Sequence, residues 1–327
     1  MSLKKTEELI KKHEVFLITT HVNPEADGIG AELAFFHLLR KLGKSGFVIN
    51  ESKVPVECEF LPGTEYIQPL SGKTKRKKFD CGVFLDCSEG RRSPRVAELT
   101  KGRPLLNIDH HRSNTRFASV NWVDPKASSA CEMVYRLYRA LKVPVDKEAA
   151  IMLYAGITVD TGSFHYSNTT ALTHRIAASL IEKGISVSGV YNKLFENSSF
   201  NDIKCLGGIL LSVERDAAGR IAWAQIPRER QKQKLIKADM AESVLGLLRS
   251  IKGVELSMVF KEALSKKNQV RINFRSQTAF DCNRLASCFG GGGHKNASGA
   301  TVAGGLAEVK EKVIQYAKKL MHSFSQR

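Results

Sequence analysis

Four short clusters of acidic and histidine residues stand where a predicted strand or helix gives way to a loop. They are His21, Glu25 and Asp27 in HVNPEADG, Asp86 at the end of CGVFLD, Asp109-His110-His111 after LLNI, and Asp160 in DTG. Carboxylate oxygens and imidazole nitrogens without thiolates suit manganese or magnesium better than structural zinc. The sequence therefore predicts a site for divalent cations.

The number of candidate ligands points to more than one ion. Six ligands that share one bridging carboxylate would hold two cations about 4 Å apart. A water bridging the two ions would lose a proton near neutral pH and could attack phosphorus in line with the leaving oxygen. Each cluster alone has an ordinary structural explanation, such as a turn or a helix cap. Their order and their positions at element ends favour the metal site.

The elements of the first half alternate between strands and helices. The predicted strands are 15–20, 46–49, 82–85 and 105–108, and the predicted helices are 29–42, 128–141, 147–158 and 170–183. This alternation predicts an α/β fold, with a parallel sheet covered by helices on both faces. Ligands of such sheets gather at the carboxyl ends of the strands. Three of the clusters should therefore meet there, with Asp160 beside them at a helix end.

The second half has a different pattern, which predicts a smaller α+β domain. Hairpin pairs are predicted for 207–213 with 220–225 and for 254–262 with 269–275, and helices for 242–251, 281–288 and 307–321. We expect a first domain over residues 1–185, a connecting segment over 186–206 and a second domain over 207–327. The active site would lie in the cleft between the two domains.

The second domain contains a candidate anion site. In GGGGHKNASG, the run of glycines that includes Gly292 and Gly293 would let the backbone approach an anion and present N–H groups to it. His294 could add a charge-assisted hydrogen bond. Arg275, at the end of the predicted strand VRINFR, is a second candidate for anion binding.

Composition indicates a soluble protein with an anionic partner. The formal net charge is +17, which favours nucleic acid, nucleotides or polyphosphate, and part of it lies in the run 73–78. The seven cysteines form no C-x-x-C pair, so reduced thiols are expected rather than disulfides or a zinc ribbon. The sequence has neither an apolar run long enough for a membrane span nor an N-terminal signal core, which predicts a cytoplasmic protein without a membrane partner.

The ordered motifs HVNPEADGIG, FLD, DHH and DTGSF resemble those of the DHH phosphoesterase superfamily. FGGGGHKNASGA resembles the glycine-rich motif of the DHH-associated C-terminal domain. The resemblance spans residues 13 to 320, and the two-domain layout is most similar to the group of bifunctional oligoribonucleases and phosphoadenosine-phosphate (pAp) phosphatases. It implies hydrolysis of short oligoribonucleotides, of pAp, or of both.

The resemblance also implies a role for each candidate residue. One metal would be held by His21, Glu25 and Asp86, and a second by Asp27, Asp86, His110 and Asp160, with Asp86 bridging. Asp109 would orient His110, and His111 would face the scissile phosphate. Substrate phosphates would be held by Arg275, Gly292, Gly293 and His294. The family normally has aspartate where this chain has Glu25, and arginine is more usual at the position of His165.

Several alternatives stay open on the sequence. The same motifs fit a phosphodiesterase for linear or cyclic dinucleotides, an exopolyphosphatase or a pyrophosphatase. A nucleic-acid-binding protein without catalysis is less consistent with the retained ligand set. Manganese is the preferred cofactor on these arguments, with magnesium as the alternative. The partner is a short RNA or a nucleotide, and the sequence leaves open whether the chain forms a homodimer.

Overall fold

The computed structural model describes residues 2–232, 240–264 and 266–325. The chain divides into two compact units, of which the first ends at Asn197 and the second begins at Ser198. Each unit is built around its own sheet of six strands. In the described residues, no helix is both long and apolar enough to cross a membrane.

The first unit alternates strands and helices. Its strands are β1 (Val15–Thr19), β2 (Ser45–Asn50), β3 (Ile67–Pro69), β4 (Cys81–Leu85), β5 (Leu105–Asp109) and β6 (Val120–Val123). Its helices are α1 (Ser2–Lys12), α2 (Ala26–Lys41), α3 (Pro94–Leu99), α4 (Ala130–Ala140), α5 (Lys147–Asp160), α6 (Ala171–Ile181) and α7 (Val187–Phe195). All strands run parallel, in the order β3-β2-β1-β4-β5-β6. The predicted parallel α/β fold is confirmed.

Both faces of this sheet are apolar, because successive side chains of a strand point to opposite faces. On β1, Phe16 and Ile18 belong to the larger core, which also contains residues of α1, α2 and α4 to α7. Leu17 belongs to a smaller core on the opposite face, together with Val96 of α3. The central strands are therefore buried on both sides, and their ends are held in fixed positions.

The second unit has a mixed sheet with helices on both faces. Its strands are β7 (Glu214–Arg215), β8 (Ile221–Ile226), β9 (Leu256–Glu262), β10 (Gln269–Ser276), β11 (Gly292–Gly293) and β12 (Ala297–Ala303). Its helices are α8 (Phe200–Leu210), α9 (Arg228–Lys232), α10 (Met240–Arg249), α11 (Cys282–Ser287) and α12 (Leu306–Ser325). The strand order is β11-β12-β10-β9-β8-β7, and only the pair β8–β9 is parallel. The predicted α+β architecture is confirmed.

The prediction of a strand over 207–213 is wrong, because these residues continue helix α8 and its last turn. The helix begins with a reciprocal cap: the Ser199 hydroxyl accepts from the Asp202 N–H, and the Asp202 carboxylate accepts from the Ser199 N–H. Such a capping box favours a helix at this point. One face of α8 then packs Ile209 into the core. The apolar run after the two glycines is a helix face rather than an alternating strand.

Candidate metal centre

Asp86 lies at the end of the central strand β4, and its two carboxylate oxygens face different groups. Oδ1 is 3.5 Å from Nε2 of His110 and 3.5 Å from Nδ1 of His111. Oδ2 is 3.4 Å from Nε2 of His21. The backbone of Asp86 is left-handed, with φ of 53°, a conformation that aspartate tolerates better than most residues. This turn at the end of the strand places the carboxylate between His21 on one side and the two neighbouring histidines on the other.

A second set of ligand atoms surrounds His110. Its Nε2 is 3.4 Å from Oδ2 of Asp160 and 3.9 Å from Oδ2 of Asp27. These separations exceed those of ordinary hydrogen bonds, about 2.7–3.2 Å. Two atoms that bind one cation at about 2.1 Å lie roughly 3 to 3.4 Å apart. The spacing of the cluster is thus closer to that of ligands around a common ion than to that of directly bonded partners.

The electrostatics of the cluster also favour a cation. Burial and the Asp27 carboxylate raise the pKa of Asp160 well above its usual value. Burial opposes the ionisation of Asp86, but contacts with His110 and His21 hold its pKa below the usual range. Burial opposes the protonation of His110, yet the three carboxylates around it raise its pKa to about 10. The charge of His110 thus neutralises part of the negative charge of three neighbouring carboxylates. A divalent cation bound among them would neutralise more of it.

One buried oxygen provides a direct test of whether a cation fits. Asp86 Oδ1 is buried, and no described residue donates a hydrogen bond to it. A buried oxygen without a partner costs about 1–3 kcal/mol, so such an atom calls for a bound group. The surrounding ligands are carboxylate oxygens and imidazole nitrogens, which are donors for manganese or magnesium. The described residues therefore fit divalent cations.

Asp27 is held in place by the first turn of helix α4. Its Oδ2 accepts from the N–H of Ala130 at 2.7 Å, and its Oδ1 accepts from the N–H of Cys131 at 2.8 Å. A helix N-terminus stabilises a carboxylate in this position. Gly156 of α5 makes room for it, because a Cβ there would lie 2.9 Å from Asp27 Oδ1 and 2.3 Å from Cys131 Sγ. A glycine inside a helix is the sequence signal that could have indicated this close approach.

We expect Gly156→Ala to destabilise the fold and weaken metal binding. The added methyl would displace Asp27 or Cys131, and overpacking of this kind costs about 1–3 kcal/mol. Thermal unfolding and manganese titration measure the two effects. The control is Gly246→Ala on helix α10, where nothing lies within 4 Å of the added methyl, so stability there should rise by up to about 1 kcal/mol. If the two variants have the same thermal stability and the same manganese affinity, the space at Gly156 is not required.

The expectation that Asp109 orients His110 is wrong, because Asp109 contacts His111 instead. Oδ1 of Asp109 is 2.7 Å from Nδ1 of His111. Both histidines approach Asp86, since Nε2 of His110 and Nδ1 of His111 each lie 3.5 Å from its Oδ1, but the short contact of Asp109 is with His111. Asp109 is fully buried. It therefore fixes the orientation of His111.

Two asparagines that the sequence analysis missed support Asp109, Asn114 directly and Asn107 through Asn114. The Nδ2 of Asn114 donates to Oδ2 of Asp109 at 2.5 Å and to Oδ1 of Asn107 at 2.7 Å. The Nδ2 of Asn107 donates to the carbonyl oxygens of Phe84 and Cys87. An asparagine within the apolar strand LLNID was the available signal, since a buried polar side chain requires partners. The two asparagines connect His111 to the end of strand β4.

Glu25 is exposed, unlike the other predicted metal ligands, and occupies the N-cap position of α2. The structure brings together His21, Asp27, Asp86, His110 and Asp160, with His111 beside them. Among the described residues, the two groups of ligand atoms that lie close enough to hold an ion include neither Glu25 nor His21.

The predicted anion-binding residues of the second unit have structural partners of their own. Arg275 donates to the Glu242 carboxylate and to the carbonyl of Phe274. Gly292 and Gly293 form β11, and a Cβ on Gly293 would lie 2.6 Å from the Cα of Ser298 on β12. The close pairing of β11 with β12 therefore explains, at least in part, why glycine is required at position 293.

His294 follows β11 and belongs to the turn into β12. It is exposed, and its N–H donates to the carbonyl of Ala297 at 2.7 Å. The backbone contact fixes the turn, and the imidazole is left accessible to a ligand.

Two family models match the chain in the order that the motifs predict. The N-terminal domain of the DHH family matches residues 15–157, and the DHHA1 domain matches residues 220–323. The chain contains a DHH domain followed by a DHHA1 domain. Its DHH domain contains the strand ends that carry His21, Asp86 and Asp109, and Asp160 lies just beyond the matched range.

Similar proteins cover nearly the whole chain. A bifunctional oligoribonuclease and PAP phosphatase NrnA from Thermus thermophilus is 29% identical over 91% of this chain and 87% of its own length. The protein of the same description from Bacillus subtilis is 29% identical over 90% of this chain and 91% of its own. An exopolyphosphatase-related protein from Bacteroides fragilis has a similar structure, with a TM-score of 0.90, 25% identity and coverage of 99% and 96%. The relatives thus match this chain across both domains and over most of their own length.

Proposed function

We propose that this chain is a metal-dependent phosphoesterase that hydrolyses short oligoribonucleotides and 3′-phosphoadenosine 5′-phosphate. The observation that carries the proposal is the carboxylate of Asp86, whose two oxygens face His21 on one side and His110 with His111 on the other. The choice of substrate rests on the relatives described as oligoribonucleases and PAP phosphatases.

The proposed ligands form two sets that share Asp86. His21 and Glu25 would complete one set, and a larger set would contain Asp27, His110 and Asp160. Two divalent cations, preferably manganese, would polarise the phosphate and the attacking water when bound. The buried walls around Asp27 and Asp86 exclude bulk water, which strengthens electrostatic interactions within the site.

His111 is the proposed proton donor to the leaving oxygen. Its Nδ1 is engaged by Asp109, so Nε2 is the nitrogen that exchanges a proton with the substrate. The side chain of His111 is 28% exposed whereas that of Asp109 is fully buried, as expected for a proton donor on a fixed support. Burial opposes the protonation of His111, but Asp109 and then Asp86 raise its pKa, which favours the protonated form that an acid needs.

The second unit would supply contacts to the substrate phosphates. We assign the metal chemistry to residues 1–185 and the phosphate contacts to residues 207–327, with 186–206 as the connection. Arg275, Gly292, Gly293 and His294 are the proposed contacts. Phosphoryl transfer depends on charge neutralisation and positioning, which these groups can provide without a covalent nucleophile.

Arg275→Ala should raise KM for a dinucleotide about tenfold or more and leave the manganese affinity unchanged. A charge-assisted hydrogen bond to phosphate is worth roughly 1.5–3 kcal/mol. Because Arg275 also binds Glu242, the matched control is Glu242→Gln, which disturbs the ion pair but keeps the arginine. If both variants change KM equally, Arg275 acts through the ion pair and not on the substrate.

Glu25→Gln is expected to lower the manganese affinity and the rate, whereas Glu25→Asp should keep both. Glutamine removes the anionic oxygen donor, and aspartate restores the residue that is usual in the family. The control is the free energy of unfolding of both variants. Because Glu25 is exposed, neither change should alter it by more than about 0.5 kcal/mol. Wild-type metal binding and turnover in Glu25→Gln would remove Glu25 from the ligand set.

A hydrolysis panel in manganese tests the proposed function. It contains pAp, a short RNA, a cyclic dinucleotide, polyphosphate and pyrophosphate, each with and without a chelator. We expect the highest kcat/KM for pAp or the short RNA, and no turnover with chelator. A higher kcat/KM for the cyclic dinucleotide, polyphosphate or pyrophosphate would mean that the proposed substrate is wrong. Hydrolysis of none of them would contradict the proposal.

A further inference from the structure

A well-anchored loop between β3 and β4 carries most of the basic run of the sequence. Its cations are Lys73, Lys75, Arg76, Lys77 and Lys78, and Arg103 stands on the neighbouring loop before β5. Thr74 is buried inside the loop, where its hydroxyl accepts from the Ser71 N–H at 2.7 Å and lies 3.1 Å from the carbonyl of Pro69. We call the five cations together with Arg103 the basic loop surface.

Aromatic rings support two of these cations. The Nζ of Lys77 lies 4.0 Å from the centre of the Phe47 ring, and the guanidinium of Arg103 lies 5.8 Å from that of Phe79. Cation–π contacts of this kind hold long side chains in place. The other four cations are exposed. Two of the six cations therefore rest against rings of the first unit, and the other four extend into solvent from the anchored loop.

The carboxylates of the adjoining segments are already engaged. Asp80 accepts from the N–H groups of Glu14 and Val15, and Glu14 pairs with Lys44 at 2.9 Å. Glu98 pairs with Lys101 at 2.6 Å. In the described part of the chain, no carboxylate lies within 4.0 Å of a charged nitrogen of the basic loop surface. The positive charge of the basic loop surface is therefore available to bind an external anion.

The sheet separates the basic loop surface from Asp86 and Asp109. Lys78 and Arg103 precede β4 and β5, whereas Asp86 and Asp109 lie where these strands end. Lys73, Lys75 and Arg76 flank Thr74, which contacts the last residue of β3, and two strands stand between β3 and β4, a distance of about 14 Å. A strand of five residues such as Cys81–Leu85 spans about 16 Å. A substrate of a few nucleotides bound at the metal centre would not need this surface.

We propose that the basic loop surface binds the phosphate backbone of single-stranded nucleic acid longer than the substrates, as a docking site separate from the metal centre. A row of cations without carboxylate partners suits a polyphosphate chain, since binding releases the counterions of that chain. The exposed large hydrophobic side chains of the described residues include none between Tyr66 and Tyr166. Neither the loop nor the segment around Arg103 therefore exposes a large hydrophobic side chain of the kind that anchors interfacial membrane proteins.

The test measures binding of a labelled 24-nucleotide phosphorothioate RNA by fluorescence anisotropy in manganese buffer at several salt concentrations. The variant is Lys75→Gln/Arg76→Gln/Lys78→Gln. The matched control is Lys312→Gln/Lys318→Gln/Lys319→Gln, which removes the same charge from exposed positions of α12. We expect the loop variant to bind about tenfold more weakly and its log–log salt slope to fall by about 2, because each lost contact to a single strand contributes about 0.7. The control should bind within about twofold of the wild type, and dinucleotide turnover should be unchanged in both.

Three results would overturn this proposal. Equal weakening in the two variants would mean that only net charge matters. Unchanged RNA binding together with lost binding to phosphatidylglycerol vesicles would make the partner a membrane surface. A parallel fall in dinucleotide turnover would place the loop within the active site. The anisotropy measurement does not require hydrolysis, so failure of the proposed function would appear separately, as a wild-type chain that binds the RNA but hydrolyses nothing.

Discussion

Asp86→Asn is expected to lower turnover by at least about 10³-fold, which corresponds to roughly 4 kcal/mol of barrier. One oxygen of this carboxylate faces His21 and the other faces His110 and His111. Removal of its charge should weaken both proposed metal positions together, whereas loss of a terminal ligand weakens one. Steady-state hydrolysis and manganese titration measure the two effects.

The asparagine variant should stay folded, because asparagine also tolerates the left-handed backbone at this position. The matched control is Asp124→Asn, which removes a carboxylate that pairs with Arg136 and belongs to neither group of ligand atoms. The control should keep wild-type turnover. Turnover of Asp86→Asn within about tenfold of the wild type would exclude the bridging role.

His111→Gln is expected to lower kcat by about 10²- to 10⁴-fold, the usual contribution of a general acid. The manganese affinity should stay close to that of the wild type, because the proposed role of His111 is proton transfer. Asp109 would lose its imidazole partner and keep its bond to Asn114. Parallel measurement of kcat and bound manganese separates the two roles.

His37→Gln is the control for this variant, since His37 binds Asp146 and lies outside the cluster. His37→Gln should leave kcat and the amount of bound manganese unchanged. His111 also belongs, with Asp86 and His110, to a group of atoms close enough to hold an ion. If His111→Gln loses manganese in proportion to its loss of rate, His111 is a ligand and another residue donates the proton.

The sequence predicted the elements that position the cluster because strand ends are marked by local features. Runs such as VFLIT and CGVFL are almost entirely apolar. CGVFL ends directly before Asp86, and VFLIT ends two residues before His21. Parallel pairing then brings His21, Asp86 and Asp109 to one edge. This part of the site follows from periodicity and from the geometry of parallel sheets.

The parts that sequence reasoning missed depend on side-chain contacts. The space for Asp27 is made by Gly156, which is distant along the chain, and Asp109 is held by Asn114 of the following loop, with Asn107 bonded to Asn114. Spacing along the chain does not reveal such contacts. The strand predicted at 207–213 failed for another reason: short apolar runs fit a helix face as well as a strand, and the cap at Ser199 decides for the helix.

The arrangement around Asp86 can be tested directly by anomalous diffraction from crystals grown with manganese, with data collected at the manganese absorption edge. We predict two anomalous peaks, each about 2.1–2.2 Å from a different oxygen of the Asp86 carboxylate. One peak should lie beside His21 and the other among Asp27, His110 and Asp160. A single peak, or peaks that do not contact Asp86, would contradict a two-ion centre bridged by this residue.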